Sequence, residues 1–154
     1  MKRIFLYILI LAAVLLIPLE RTDVGDLQPV QTVAVFRDED GYLIQTDTGD
    51  EGRGVDPVQA LQNLEETTPG VVYLDTAQYL LVSESATVSI EDLRQYLRKS
   101  VQLYHVVGTP ELETASKYLS VHGDGPELKY WSEDVPLPIL DCRDDRIKLI
   151  DGTQ

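Results

Sequence analysis

The chain has 154 residues, with 26 acidic side chains against 13 basic ones and a formal charge of −13. That balance gives no net attraction to phosphate and excludes nucleic-acid binding built on electrostatics. A lone cysteine, Cys142, excludes an internal disulfide, so the fold must hold by packing.

The chain opens on Lys2 and Arg3, then an unbroken apolar run from Ile4 to Ile17, then Pro18, Leu19 and the charged Glu20 and Arg21. This pattern is a secretory or anchor signal, because a buried core helix would show a polar face. Residues 1–21 are expected to be a signal anchor or signal peptide, with the membrane segment running from Ile4 to Leu19. No small residues stand where a signal peptidase needs them, and no cysteine follows the run for lipid attachment. Retention as a single-pass anchor is therefore expected, with secretion after cleavage as the alternative. At 1.5 Å per residue the segment reaches about 24 Å against a hydrocarbon core of about 30 Å, a mismatch that thinning or snorkelling of Lys2 and Arg3 absorbs. The positive-inside bias puts the N-terminus in the cytoplasm and the rest outside.

Residues 20–154 carry all 26 acids and 11 of the bases, a formal charge of −15. The length suits one compact domain, and the charge argues against its lying flat on an anionic lipid surface. Residues 22–31 read as a connector. Thr32–Arg37 is a strand by its β-branched content, Asp38-Glu39-Asp40-Gly41 a turn, and Tyr42–Asp47 the returning strand of a hairpin. The polar, glycine-rich Thr48–Val55 is expected to be an exposed, mobile loop. Asp56, Pro57 and Gln59 then open a helix as a capping box, with Val58, Leu61 and Leu64 on one side and Thr67–Gly70 ending it.

Val71–Leu74 and Tyr79–Val82 read as two strands, or as one broken near Asp75–Ala77. A second helix is expected from Ser89 as cap, with Ile90, Leu93, Tyr96, Leu97 and Val101 as its apolar stripe. Arg94, Arg98 and Lys99 occupy the other side, an exposed basic face that is solvated or docks an acidic partner. Leu103–Val107 is a short strand. Thr109 as cap and Pro110 at the first position open a third helix with Leu112, Ala115 and Leu119 inward, and Gly123–Pro126 breaks it. Pro136–Cys142 and Arg146–Ile150 are expected to pair as a hairpin across Arg143-Asp144-Asp145. The interleaved order predicts an α/β (α+β) fold, a mixed β-sheet with about three packed helices behind an N-terminal transmembrane or signal segment. Residues 32–154 are expected to form one extracytoplasmic domain, with 32–121 as the α/β core and 122–154 as a tail carrying the C-terminal hairpin.

Residues fitted to chemistry are few. His105 lies in an apolar strand, where a structural imidazole is the default, and His122 precedes a glycine-rich break. Their spacing, with one distant cysteine, matches no zinc pattern. Asp38, Glu39 and Asp40, with Asp47, Asp50 and Glu51 beyond, invite a calcium reading. Setting Gly41 at position six of an EF-hand loop puts Phe36 at position one, so that motif fails. Polar hairpin ends explain these acids, with a weak cation site as the alternative. The glycines of Gly49–Gly54 have the wrong spacing for a phosphate loop, and acids stand where the anion would sit. Ser83 and His105 are the only visible candidates for a hydrolase. No catalytic residue, cofactor or metal is expected, and the chain reads as a non-enzyme. Cys142 beside Ile139 and Leu140 reads as a buried small hydrophobe, with an intermolecular thiol as the alternative.

Three stretches carry a resemblance. Asp26-Leu27-Gln28-Pro29-Val30 leads into Thr32–Phe36 and the Asp38–Gly41 turn; Asp56-Pro57-Val58-Gln59-Ala60-Leu61 follows the variable loop; and Tyr79-Leu80-Leu81-Val82-Ser83-Glu84 precedes Ile90–Ser100. A fainter match runs from Pro136-Leu137-Pro138 to Ile147–Gly152. In this order they resemble the N-terminal domain of the C subunit of spore germinant receptors, the Ger(x)C family, as a single-domain form. That family is anchored by a lipid on an N-terminal cysteine, which this chain lacks; the apolar segment would take its place. The resemblance implies a non-catalytic, membrane-attached accessory role in spore germination, assembling or tuning a membrane receptor complex at the cell or spore inner membrane. It implies receptor subunits as partners and supplies no catalytic residues. A small-ligand sensor domain unrelated to germination is the alternative.

Overall fold

The computed structural model describes residues 27–143 and 146–152. The expected anchor, with Ile4 and Leu19, lies outside the described residues, as do residues 22–26 of the connector and Asp144-Asp145 of the last turn. Among the described residues no helix is long and apolar enough to cross a membrane.

The order of elements is β1 (Leu27–Pro29), β2 (Thr32–Asp38), β3 (Gly41–Thr46), β4 (Glu51–Gly54), α1 (Pro57–Thr67), β5 (Val71–Tyr73), β6 (Tyr79–Val82), α2 (Ser89–Leu93), β7 (Gln102–Val107), α3 (Leu112–His122), β8 (Ile139–Asp141) and β9 (Lys148–Ile150). Seven strands form one mixed sheet in the order β4-β3-β2-β6-β7-β8-β9. Its centre, β2, β6, β7 and β8, is parallel, and the antiparallel β3–β4 and β9 flank it. The α+β class and the mixed sheet with three helices follow the sequence expectation.

Period-two alternation divides the central strands between two faces. Val33, Val35, Leu80, Val82 and Leu103 point to one face, where α1 brings Leu61 and Leu64 and α2 brings Ile90 and Leu93. Ala34, Leu81, Tyr104 and Val106 point to the other, against Leu112, Ala115 and Leu119 of α3. All four residues of β6 are buried, the pattern of a parallel strand covered on both sides.

The capping box of α1 forms as read, displaced by one residue on its return arm. The Asp56 carboxylate accepts from the Gln59 N–H at 2.8 Å, and Gln59 Oε1 accepts from the Val55 N–H at 2.9 Å. Such a cap stabilises a helix by about 1 kcal/mol.

Four expectations are corrected. The glycine-rich 48–55 segment is no mobile loop: Glu51–Gly54 is an edge strand paired with β3. Its glycines serve close packing, because a Cβ on Gly52 would sit 2.2 Å from the Ala60 carbonyl oxygen and one on Gly54 2.4 Å from the Ala60 nitrogen. The Arg53 and Glu51 carbonyls of that edge accept from Asn63 and Thr67 of α1, which closes them to another strand.

Second, α2 ends at Leu93, and Ser89 is its first residue rather than its cap; the Ser89 hydroxyl donates back to the Ala86 carbonyl. Leu97 and Val101 reach the core from the turns that follow. Third, α3 begins at Leu112 and not behind a Thr109 cap, since residues 109–111 are spent turning the chain from β7 onto the opposite face. Fourth, Leu27–Pro29 of the expected connector is a strand, paired in parallel with β5 in a separate two-stranded ladder.

The C-terminal hairpin forms from Ile139–Asp141 and Lys148–Ile150. Its first strand also pairs with β7, so the tail extends the main sheet.

Candidate functional site

The basic residues singled out from the sequence lie on the turns between α2 and β7. Successive turn hydrogen bonds shape the segment: Arg94 N–H to the Glu91 carbonyl at 3.3 Å, Tyr96 N–H to Leu93 at 3.0 Å and Val101 N–H to Arg98 at 3.1 Å. A second segment, residues 127–131, lies alongside: the Leu128 N–H donates to the Val101 carbonyl at 2.7 Å and the Lys129 N–H to the Lys99 carbonyl at 2.9 Å.

The three cations do not share one role. Arg94 is half-buried and turned inward. Its Nε meets Glu91 Oε2 at 2.9 Å, while Nη1 and Nη2 donate to the Leu128 and Trp131 carbonyls at 2.8 and 3.3 Å. It clamps the two segments together. Arg98 and Lys99 are exposed, and no ion pair engages either among the described residues. Arg98 lines a recess of about 200 Å³ with Gln78, Ser100, Gln102 and Glu127.

Reading the sequence missed Lys129 and Tyr130, which join Arg98 and Lys99 on this surface. The Lys129 ammonium lies 2.7 Å from Glu127 and 4.6 Å from the centre of the Tyr130 ring, itself 75% exposed. Only the pairing of residues 127–129 with 99–102 brings them together, and no local pattern signals it.

The histidine and serine candidates fall into two separate hydrogen-bond chains. Thr87 Oγ1 donates to the Glu84 carbonyl at 2.8 Å, so it accepts from His105 Nε2 at 3.0 Å. The network thereby assigns the imidazole as its Nε2–H tautomer. Burial holds its pKa below the usual histidine value, against a weaker opposing pull from the Glu84 charge. Ser85 Oγ donates to the Arg37 carbonyl at 3.1 Å and Ser83 Oγ lies 3.2 Å from Ser85 Oγ, so the Ser83 hydroxyl is bound to another serine and not to imidazole. His122 is exposed at the end of α3, its ring 4.7 Å from that of Tyr118.

The acidic turns lie at opposite ends of β3. Asp38 accepts from the Asp40 N–H at 2.9 Å at one end. At the other, Asp47 accepts from the Gln31 N–H at 3.1 Å, and Asp50 from the Thr48 hydroxyl at 2.7 Å. A six-residue strand separates them by about 20 Å, so they form no common cation site. Among the described residues no cluster of three acidic, histidine or cysteine side chains fits a metal ion. Cys142 is half-buried, and burial raises its thiol pKa, away from the range of a reactive thiolate.

No protein-family model matches the chain. A search of the curated proteins finds no match, and neither does a search of the solved structures.

Proposed function

We propose that the chain is a membrane-anchored, non-catalytic interaction module held outside the cytoplasm, where it assembles or tunes a membrane receptor complex in spore germination. The observation that carries the reading is the joining of leader to fold. The apolar segment ends at Leu19, seven residues ahead of β1, and seven extended residues reach about 25 Å at most. A domain so tethered works at the membrane surface, at an effective concentration that lets weak contacts count. The commitment of Arg94 to the Leu128 and Trp131 carbonyls and of His105 to Thr87 supports a structural use of these side chains. The germination setting rests on the resemblance to the Ger(x)C domain alone.

Isolation from membranes of sporulating cells in mild detergent tests the reading. Co-purification with an integral-membrane receptor subunit, and altered germination on deletion, are expected. A chain that brings down no membrane partner and whose loss leaves germination unchanged would overturn it.

The second reading is an extracytoplasmic small-ligand sensor, for which the surface lined by Val58, Glu91, Asp92, Arg94, Gln95 and Lys99 offers an open depression. A saturable rise in melting temperature with a small molecule would support that reading, since binding stabilises the native state.

A further inference from the structure

The ladder of β1 and β5 stands apart from the seven-stranded sheet. Each side has three residues, paired in parallel as Leu27 with Val71, Gln28 with Val72 and Pro29 with Tyr73. Pro29 has no N–H to give the ladder, and a two-stranded unit this short has little stability of its own. Of β5 only Val72 is buried, while Val71 and Tyr73 are 45% and 42% exposed. Thr76 closes the end of the ladder: its hydroxyl lies 2.9 Å from the Val30 carbonyl oxygen and 2.8 Å from that of Tyr73. Two residues past β1 the bonding changes. The Gln31 N–H donates to the Asp47 carboxylate at 3.1 Å. The Gln31 carbonyl accepts from the N–H groups of Gln78 at 2.8 Å and Tyr79 at 3.1 Å. Its side-chain Oε1 accepts from the Ser116 hydroxyl on α3 at 3.2 Å. One residue is thus held by the turn after β3, by the start of β6 and by α3.

We propose that the β1–β5 ladder is a strap that opens as one unit while the seven-stranded sheet stays closed, and that Gln31 is where the opening stops. Opening breaks the short ladder and the Thr76 bonds and draws Val72 out of the core cluster. That is a small loss of contact, as local openings require. Spreading further means breaking the bonds of Gln31 to three elements together, and then the parallel pairing of β2 with the fully buried β6. A movement of the chain ahead of β1 is therefore taken up in the strap and is not passed to the sheet. The inference goes beyond the anchored reading and does not depend on it.

Amide hydrogen exchange of the full-length chain in detergent, with and without low urea, tests the proposal. Amides of residues 71–73 are expected to exchange at least about 100-fold faster than those of Gln78 and Tyr79, at rates that low urea leaves unchanged, because a local opening exposes little surface. Gln78 and Tyr79 are expected to exchange together with Leu103 and His105 on β7, through unfolding of the whole domain. Residues 71–73 exchanging at the rate and with the urea dependence of Gln78 and Tyr79 would overturn the strap. Thr76→Val removes the closing hydroxyl and is expected to speed residues 71–73 about fivefold, the worth of one hydrogen bond, with Gln78 and Tyr79 unchanged; unchanged rates at 71–73 would contradict the closure. Asp47→Ala removes the acceptor of the Gln31 N–H and is expected to speed Gln78 and Tyr79 beyond Leu103 and His105. Equal acceleration of all four would overturn Gln31 as the stop. Ser116→Ala, which removes the donor to Gln31 Oε1, reads the same four amides with the same criterion if Asp47→Ala does not fold.

Discussion

Arg94 Nη1 donates to the carbonyl oxygen of Leu128 at 2.8 Å, joining segments 34 residues apart in the chain. The same guanidinium reaches Trp131, and its side chain is one-third exposed. Arg94→Ala would leave two carbonyls without this donor and is expected to destabilise the domain by about 1–3 kcal/mol. Arg98→Ala, on the same turns but exposed, is expected to stay within about 0.5 kcal/mol of the parent. Denaturant unfolding of the full chain in detergent, followed by the fluorescence of Trp131, the single tryptophan, separates the two. Equal losses would contradict the clamp.

Gly52 is held to glycine by the backbone of α1. A Cβ there meets the Ala60 carbonyl oxygen and the Leu64 nitrogen, neither of which is the far end of a flexible side chain. Gly52→Ala is expected to cost about 2 kcal/mol or more, as overpacking does. Arg53→Ala on the same strand loses only an exposed pair with Asp38 at 3.7 Å and is expected to be near neutral. The same unfolding assay compares them.

Asp47 accepts from the Gln31 N–H, yet burial, with a contribution from the Glu113 charge, raises its pKa despite that hydrogen bond. A carboxyl raised in the folded state disfavours its own ionised form there, so Asp47 makes the fold more stable as pH falls through its folded pKa. Asp47→Asn keeps an acceptor for Gln31 and removes the buried charge. It is expected to stabilise the domain at pH 7, with the difference shrinking toward low pH. Melting temperatures of both proteins across the carboxylate range check this; a variant less stable at pH 7 and unchanged at low pH would refute it.

His105 behaves in the opposite sense. Burial lowers its pKa in the folded state, so the unfolded chain binds the proton first. Its contribution is complete above about 6.5, the ordinary histidine value, and is lost as pH falls from there through the folded pKa. His105→Gln retains a donor for Thr87 and is expected to flatten the stability profile across that window. An unchanged slope between pH 7 and 5 would assign the dependence to other groups.

Much of the fold was legible because local signals agreed with the tertiary arrangement. The β-branched run at 32–36, the apolar run at 79–82, the Asp56–Gln59 box and the Leu112-Ala115-Leu119 side all stand where the pattern placed them. Legibility failed where long-range packing overrode local chemistry. Gly52 and Gly54 signal a loop by composition, but their missing side chains admit a helix. The stripe from Ile90 to Val101 has helical spacing, yet only its first turn is helical, because turns carry Leu97 and Val101 to the same core. The basic surface was half legible. Arg98 and Lys99 are exposed as read, while Arg94 faces inward and Lys129 arrives from a segment about thirty residues on.

The proposed anchor would hold this domain on the outer side of the membrane by a retained N-terminal segment. External protease applied to intact cells or protoplasts, with an antibody against the C-terminal tail, tests it most directly. The full-length chain is expected in the membrane fraction, with its tail signal lost on protease treatment without lysis. A tail that stays protected until the cells are lysed, or a full-length chain in the soluble fraction, would contradict it.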